Sequence, residues 1–244
     1  GYPIPSIFPD RRDLWVRSYL QTYLERDVRQ LQNIRDIKTF EQFVGLCAAM
    51  HGQDLNMARL ARNCGASQPT VKNWLSVLEA SYLIACIPPY FNNLGKRLVK
   101  SSKLYFLDSA LVTTLTRQPG KDAALAGAMG GSLFEGFIVT EAIKAFTNGG
   151  RRPNLWHWRS ADGLEVDLLV QGAHTMMPIE IKLTQTPTHH HTKPMRRLNK
   201  SLKHTASPQG VIVCRIPQRQ LLPNDYLALP AYEFSDWLTT FLHS

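Results

Sequence analysis

Three short apolar segments, joined by tight turns, follow one another between residues 154 and 183 of this 244-residue chain. The segments read "NLWHWRS", "LEVDLLV" and "TMMPIEIKL", and the turns between them read "ADG" and "QGAH". Short apolar runs bounded by Gly-containing turns are typical of β-strands that pair in sequence as a meander. We therefore predict a sheet in this part of the chain.

Four charged residues interrupt these strands where apolar side chains are expected: Glu165, Asp167, Glu180 and Lys182. Side chains alternate between the two faces of a strand. The second strand is therefore predicted to carry Val166, Leu168 and Val170 on one face and Glu165, Asp167 and Leu169 on the other. In the third strand, Glu180 and Lys182 share a face.

A hairpin that folds about residues 172 and 173 would place Asp167 opposite Pro178 or Ile179. That position is one pleat from Glu180, so the two carboxylates could converge where their faces match. Two convergent carboxylates bind a hard divalent cation such as Mg²⁺ or Mn²⁺. We predict that Asp167 and Glu180 hold such a cation.

Lys182 stands beside the predicted metal ligands, where it could orient a water and stabilise charge on a phosphate. A second interpretation stays open. Glu180 and Lys182 could face solvent on a half-exposed sheet, while Glu165 pairs with Arg159.

A helix-turn-helix pattern is present in "DLNMARLARNCGASQPTVKNWLSVLEA". Gly65 can adopt the positive φ that such a turn requires, and Pro69 fits the first turn of the second helix. The exposed residues of that helix are of the types that bind phosphates and base edges, and they form a candidate nucleic-acid surface: Gln68, Thr70, Lys72, Asn73 and Ser76.

The segment after this pattern offers two or three strands with a basic tip, as in the wing of a winged helix. The tip comprises Lys96, Arg97, Lys100 and Lys103. Winged helices also serve as protein-docking modules, so protein docking stays open as an alternative to DNA contact.

The remaining helices and the domain boundaries follow from periodicity and turn residues. An amphipathic helix is predicted over residues 10–32, and a second one from Thr39, as its N-cap, to Met50. Residues 116–130 contain Pro and Gly and show no apolar periodicity, which predicts a linker. It would join a helical, winged helix-turn-helix domain (1–115) to an α/β domain (131–244). A helix over 132–146 opens the second domain and carries Glu135 at the margin of its apolar face.

A net charge of +9 and a pI near 9.5 favour a polyanionic partner, with nucleic acid such as DNA first and an anionic membrane surface second, although many soluble proteins are also basic. The four cysteines show no metal-binding spacing and are predicted to be reduced core thiols, as expected in the cytoplasm. No apolar run approaches the length of a membrane span, so no membrane partner is predicted. The sequence leaves open whether the chain forms a homo-oligomer.

Basic residues follow the "HHH" of 189–191 and predict a helix with one cationic side, formed by Lys193, Arg196, Arg197, Lys200 and Lys203. This side could follow a phosphate backbone or be a solvated surface. Trp156 and Trp158 could stack on bases, or could pack the sheet against a helix.

The order of these features resembles the PD-(D/E)XK nuclease fold of Holliday-junction resolvases and restriction endonucleases. Glu135 lies in a preceding helix, Asp167 in a strand, and "EIK" at 180–182 in the next strand. The resemblance implies Glu135, Asp167, Glu180 and Lys182 as the site residues, with Lys182 and Glu135 in catalytic roles. The usual proline before the acidic residue is here Val166.

Residues 3–183 are also similar to the C-terminal half of a family of prokaryotic AAA-type ATPases. The segments that carry this resemblance include "SYLQTYLERDVRQL", "PPYFNNLGKRLVKSSKLYFLDSAL" and "GSLFEGFIVTEAIK". In that family an ATPase domain precedes a winged helix and a nuclease-like domain. No G-x-x-x-x-G-K-[ST] occurs here, so we expect a chain without its motor domain that does not bind ATP by itself.

Three functions follow from these predictions. The first is a metal-dependent nuclease that uses Asp167, Glu180, Lys182 and Glu135. The second is a DNA-binding regulatory module of an ATPase with a silent nuclease fold. The third is a protein-interaction module without nucleic acid.

Overall fold

The computed structural model of the chain describes residues 11–23, 37–91, 101–173, 175–202 and 210–243. Helices and strands together form a mixed α/β fold, as the sequence predicted. The chain divides into unit 1, residues 1–86 and 104–129, and unit 2, residues 87–103 and 130–244.

Unit 1 is mainly helical, with a small three-stranded sheet in the order β1-β3-β2. Its elements are α1 (Arg12–Thr22), α2 (Ile37–Ala49), β1 (Gln53–Asp54), α3 (Met57–Cys64), α4 (Gln68–Ala80), β2 (Ile84–Ile87), β3 (Lys103–Phe106), α5 (Ser109–Leu115) and α6 (Lys121–Ala126). The last residue of β2, Ile87, and the first residue of β3, Lys103, already belong to unit 2.

The predicted helix-turn-helix geometry is confirmed at α3 and α4. Gly65 ends α3 in the left-handed region, at φ 68°, where a residue without Cβ is favoured. The Ser67 side chain accepts a 3.2 Å hydrogen bond from the backbone N–H of Thr70 and caps α4, whose first turn contains Pro69. Trp74 of α4 is buried against Phe40, with ring centroids 5.3 Å apart in an edge-to-face arrangement.

Three details of unit 1 differ from the prediction or lie beyond the described residues. Thr39 is not an N-cap, because α2 already begins at Ile37. The segment predicted as a linker contains α6, whose Ala-rich sequence favours a helix and whose Asp122 lies in the first turn. The second half of the predicted first helix, from residue 24 onward, lies outside the described residues.

Unit 2 contains a six-stranded mixed sheet in the order β4-β5-β6-β7-β9-β8. Strands β6, β7 and β9 are parallel to one another, and the other pairs are antiparallel. Its elements are α7 (Gly130–Asn148), β4 (Leu155–Arg159), β5 (Glu165–Gln171), β6 (Met176–Ile181), α8 (Lys193–Leu202), β7 (Val211–Cys214), β8 (Gln220–Leu222), β9 (Tyr226–Pro230) and α9 (Phe234–His243).

An irregularity in the β4–β5 pair changes the predicted alternation of side chains. Trp156 pairs with Leu169 and Trp158 with Val166, so β5 uses one residue more than β4 between these pairs. Val166 and Leu169 consequently belong to the same buried cluster, and the prediction that they lie on opposite faces was wrong. Both tryptophans pack against this cluster, which fits their packing role.

The β5–β6 hairpin has a register one or two residues away from the predicted one. Leu168 pairs with Ile179, and the N–H of Gly172 bonds to the carbonyl of Thr175 at 2.9 Å, so the turn is centred later than residues 172 and 173. Continuing this register places Asp167 level with Glu180, rather than opposite Pro178 or Ile179. The two carboxylates are thus closer in register than predicted.

Candidate functional site

The predicted convergence of Asp167, Glu180 and Lys182, here called the carboxylate site, is present in unit 2. Lys182 Nζ lies 2.9 Å from Asp167 Oδ2 and 2.7 Å from Glu180 Oε1. The backbone N–H of Ile181 donates a 2.8 Å hydrogen bond to the same Oδ2. One ammonium group therefore links two carboxylates at the point where β5 and β6 separate.

Burial of the carboxylate site is uneven. The Glu180 side chain is only 3% exposed, while the Lys182 side chain is 35% exposed. Glu180 Oε2 is buried, and no hydrogen-bond donor among the described residues reaches it. A buried carboxylate oxygen without a partner is costly, so this atom has capacity for a further cation or donor. The interpretation in which Glu180 faces solvent was wrong.

Burial and a neighbouring carboxylate favour the protonated form of Glu180. Burial, and then the neighbouring Asp167, raise the pKa of Glu180 to about 8, against the opposing effect of Lys182. Burial alone would lower the pKa of Lys182, but Asp167 and Glu180 outweigh it and raise that pKa above its ordinary range. The site can therefore take up a proton at Glu180 while Lys182 stays charged.

A second cluster in unit 2 surrounds Lys103, the last residue of the 87–103 segment. Lys103 Nζ lies 2.8 Å from Glu135 Oε1 of α7 and also contacts Glu165 Oε1 of β5. Arg159 Nε donates to the other oxygen of Glu165 at 2.8 Å, so the predicted Arg159–Glu165 pair is confirmed. Glu135 is thus held by a lysine that is not part of the carboxylate site.

The position of Lys103 contradicts its prediction as part of an exposed basic tip. Its side chain is only 6% exposed, because β3 begins at this residue and is buried along its length. The apolar run "LYFL", which follows Lys103 directly, indicates a buried strand and is the sequence feature that could have predicted its burial. Lys96, Arg97 and Lys100 lie outside the described residues.

The donor set fits a single hard cation. Within the described ranges, no three His, Cys, Asp or Glu side chains stand in a metal-binding arrangement. Mg²⁺ commonly uses only one or two protein carboxylates and fills its remaining positions with water and phosphate oxygens. Asp167 and Glu180, with the unsatisfied Oε2, match this requirement.

A cationic helix face lies near the carboxylate site. Helix α8 packs against β5 and β6 through buried side chains such as Met195 and Leu198. The pKa of His191, in the turn before α8, is lowered by burial and by the nearby ammonium group of Lys182. The exposed side of α8, here called the α8 basic face, comprises Lys193, Arg196, Arg197 and Lys200. Lys203, which was predicted to belong to the same side, lies outside the described residues.

The predicted nucleic-acid residues of unit 1 lie on α4. Gln68, Lys72 and Asn73 are exposed. Thr70 is half-buried, and its hydroxyl lies 2.7 Å from that of Ser67, within the cap of the helix. Ser76, the fifth predicted residue, is also exposed, and its hydroxyl donates a 3.1 Å hydrogen bond to the carbonyl of Lys72. Four of the five side chains therefore lie on the solvent side of α4, and Thr70 is engaged in capping.

Comparison with known proteins assigns the chain to a family. Residues 1–122 match the family described as "Domain of unknown function (DUF8612)". The chain belongs to this DUF8612 family. Residues 130–234 of this DUF8612 member match a second family, described as "Domain of unknown function (DUF4143)". The two matches divide the sequence within the segment 116–130.

Two curated proteins are similar to this DUF8612 chain. They are an uncharacterized protein of Mycobacterium tuberculosis and an uncharacterized protein of Mycobacterium bovis, each 31% identical over 175 residues. The similarity covers 71% of this chain but only 38% of each relative. No solved structure matches the chain. In the part that the structure describes, none of the helices has the length and apolar character needed to cross a membrane.

Proposed function

We propose that unit 2 is a metal-dependent nuclease domain that hydrolyses phosphodiester bonds in DNA, with Mg²⁺ or Mn²⁺ held by Asp167 and Glu180. The observation that carries this proposal is the buried, unsatisfied Oε2 of Glu180 beside Asp167. A buried carboxylate oxygen without a partner does not stabilise a hydrophobic sheet. A cation site, in contrast, requires such an oxygen as a ligand. The resemblance to the PD-(D/E)XK fold supports the same assignment.

The residues of the carboxylate site have separate roles in this proposal. A bound cation would supply Lewis-acid activation of the phosphate and of the attacking water. Lys182 keeps Asp167 and Glu180 together, and its partial exposure lets the ammonium group meet a phosphate oxygen. Ile181 fixes Asp167 through its backbone N–H. Glu135, on the adjoining helix, adds negative charge next to the site, since it acts on the pKa of Glu180.

Nucleic acid is the proposed partner of both units. In unit 2, the α8 basic face lies on a helix that packs on the strands of the carboxylate site. In unit 1, the exposed Gln68, Lys72 and Asn73 are of the types that contact phosphates and base edges. The net charge of +9 favours association with a polyanion.

The chain is further proposed to act with an AAA-type ATPase in the cytoplasm. It spans 38% of the length of the mycobacterial relatives, which leaves most of each relative for other domains. The resemblance stated above supports an ATPase as one of them. The free thiols of all four cysteines fit a reducing compartment.

A second candidate function is a catalytically silent, DNA-binding regulatory module of that ATPase. One observation favours it: Lys103 and Lys182 already pair with Glu135, Glu165, Asp167 and Glu180. A cluster in which each carboxylate already has an ammonium partner can stabilise a fold without any metal ion.

A cleavage assay separates the two functions. Labelled linear, branched and single-stranded DNA would be incubated with Mg²⁺ or Mn²⁺ and with wild type, Asp167→Ala or Lys182→Ala. Asp162→Ala is the matched control, since this carboxylate lies in the exposed turn before β5. Metal-dependent cleavage that is lost in the first two variants and kept in the control establishes the nuclease. DNA binding without cleavage of any substrate rejects it and favours the silent module.

A further inference from the structure

We propose that the ammonium group of Lys103 occupies the place of a second divalent cation, so that the site binds one metal ion per chain. This inference rests on the proposed metal site at Asp167 and Glu180. It concerns the neighbouring cluster of Glu135, Glu165 and Lys103, in which the lysine is buried and not part of an exposed basic tip.

The contacts of Lys103 are those of a small cation between carboxylates. Its Nζ atom lies 2.8 Å from Glu135 Oε1 and contacts Glu165 Oε1, so one charge draws together oxygens from a helix and from a strand. A buried ammonium group is unstable unless it is paired and hydrogen-bonded. With Lys103 in place, both carboxylates are compensated without metal.

The charges around Lys103 show why this position needs a cation. Burial would lower the pKa of Lys103, but Glu135, Asp167 and Glu165 outweigh it and raise that pKa above its ordinary range. Asp167 also belongs to the carboxylate site, so it lies within the electrostatic reach of both lysines. Without Lys103, three carboxylates would repel one another around a buried position.

The carboxylate site and the position of Lys103 Nζ between Glu135 and Glu165, here called the second position, differ in one respect. This difference determines how many metal ions the chain can bind. At the carboxylate site, Glu180 Oε2 has no donor among the described residues and can accept a metal ion. At the second position, the lysine satisfies Glu135 Oε1 and Glu165 Oε1, while Arg159 takes the other oxygen of Glu165. Only the first position is open to a divalent cation.

Replacing Lys103 with the neutral, similarly long Met should open the second position. Bound Mn²⁺ would be counted by electron paramagnetic resonance of the free ion, without DNA, for wild type and three variants. We expect one ion per chain for wild type, two for Lys103→Met, and one for Lys103→Met/Glu135→Gln, which lacks a ligand for the second ion. Lys144→Met is the matched control, because Lys144 pairs with Glu141 on the same helix as Glu135; its expected count is one.

Each outcome has a distinct meaning. No ion in wild type rejects the proposed metal site itself. Two ions in wild type, or one ion in a folded Lys103→Met, overturn the role of Lys103 while leaving the metal site intact. If Lys103→Met is unfolded without metal, recovery of its circular dichroism in Mn²⁺ with two ions bound supports the inference, and a variant that stays unfolded in Mn²⁺ overturns it.

Discussion

The backbone N–H of Ile181 donates a 2.8 Å hydrogen bond to Oδ2 of Asp167. The paired residues of β5 and β6 end at Leu168 and Ile179, so this bond links the two strands just beyond their ladder. A side chain thus takes the place of main-chain pairing, which fixes Asp167 at the end of the β5–β6 ladder. The same oxygen faces Lys182 Nζ, so the backbone of β6 orients the carboxylate site.

This bond makes the stability of Asp167 variants depend on the replacement. Asp167→Asn keeps a side-chain oxygen for the Ile181 N–H and removes a charge that repels Glu180, so we expect stability close to wild type. Asp167→Ala leaves the buried N–H without this acceptor and should cost about 1–3 kcal/mol in the free energy of unfolding. Urea unfolding of both variants measures the difference. Equal stabilities would show that the Ile181 bond contributes nothing.

The raised pKa of Glu180 predicts a characteristic pH dependence of stability. A carboxyl group with a raised folded-state pKa holds its proton more tightly in the folded chain than in the unfolded chain. Its stabilising contribution is therefore full below pH 4.5 and is lost as the pH rises to about 8. Glu180→Gln cannot lose a proton, so the stability of wild type relative to this variant should fall across that window. Thermal unfolding in metal-free buffers measures it, and parallel pH profiles would contradict the prediction.

Proton release from Glu180 should also govern metal affinity. Because the protonated carboxyl is a poor ligand, Mn²⁺ has to displace a proton at any pH below about 8. We expect the Mn²⁺ affinity of wild type to rise between pH 6 and pH 8 and to level off above pH 8. The reason is that one proton competes with one cation for the same carboxylate. Calorimetric titrations in buffers of different ionisation enthalpy report the released proton directly. An affinity that is constant over this range would exclude Glu180 as a ligand.

Two glycines of unit 1 should respond to alanine in opposite directions. Gly65 has φ 68°, where a Cβ is strained although the space around it is open, so Gly65→Ala should cost about 1 kcal/mol. Gly45 lies inside α2, also with open space around it, and Gly45→Ala should stabilise by about 0.5–1 kcal/mol through helix propensity. Chemical unfolding of both variants measures the contrast. Two changes of the same sign would contradict the assigned turn geometry.

The features that the sequence predicted correctly depend on neighbours in the chain. The turn at Gly65, the place of Pro69 in the first turn of α4 and the convergence of Asp167 with Glu180 follow from local patterns and from one short hairpin. The irregularity in β5 has no glycine to mark it, since "EVDLLVQ" is a regular strand sequence. Its position depends on how the residues of β4 pack.

Lys103 could not be placed from local patterns alone. Its partners Glu135 and Glu165 lie far along the chain, on a helix and on a strand that the periodicity does not bring to Lys103. Because Lys103 follows two serines, the sequence favours an exposed side chain. Only the apolar strand that follows argues for burial. The energetic reason for its burial is the pairing of two carboxylates, which only the tertiary structure shows.

The α8 basic face should control the salt dependence of DNA binding. Arg196→Gln/Arg197→Gln removes two exposed charges from a helix that packs on the strands of the carboxylate site. If both contact phosphates, the slope of log affinity against log salt should become shallower by about 2, since each contact contributes about 0.9. Lys121→Gln/Arg152→Gln removes two exposed charges elsewhere and is the matched control, with an expected slope close to wild type.

Fluorescence anisotropy with labelled duplex in EDTA gives the slopes without cleavage. Identical slopes for the two double variants would show that α8 contributes only net charge, because a phosphate contact depends on position whereas net charge does not.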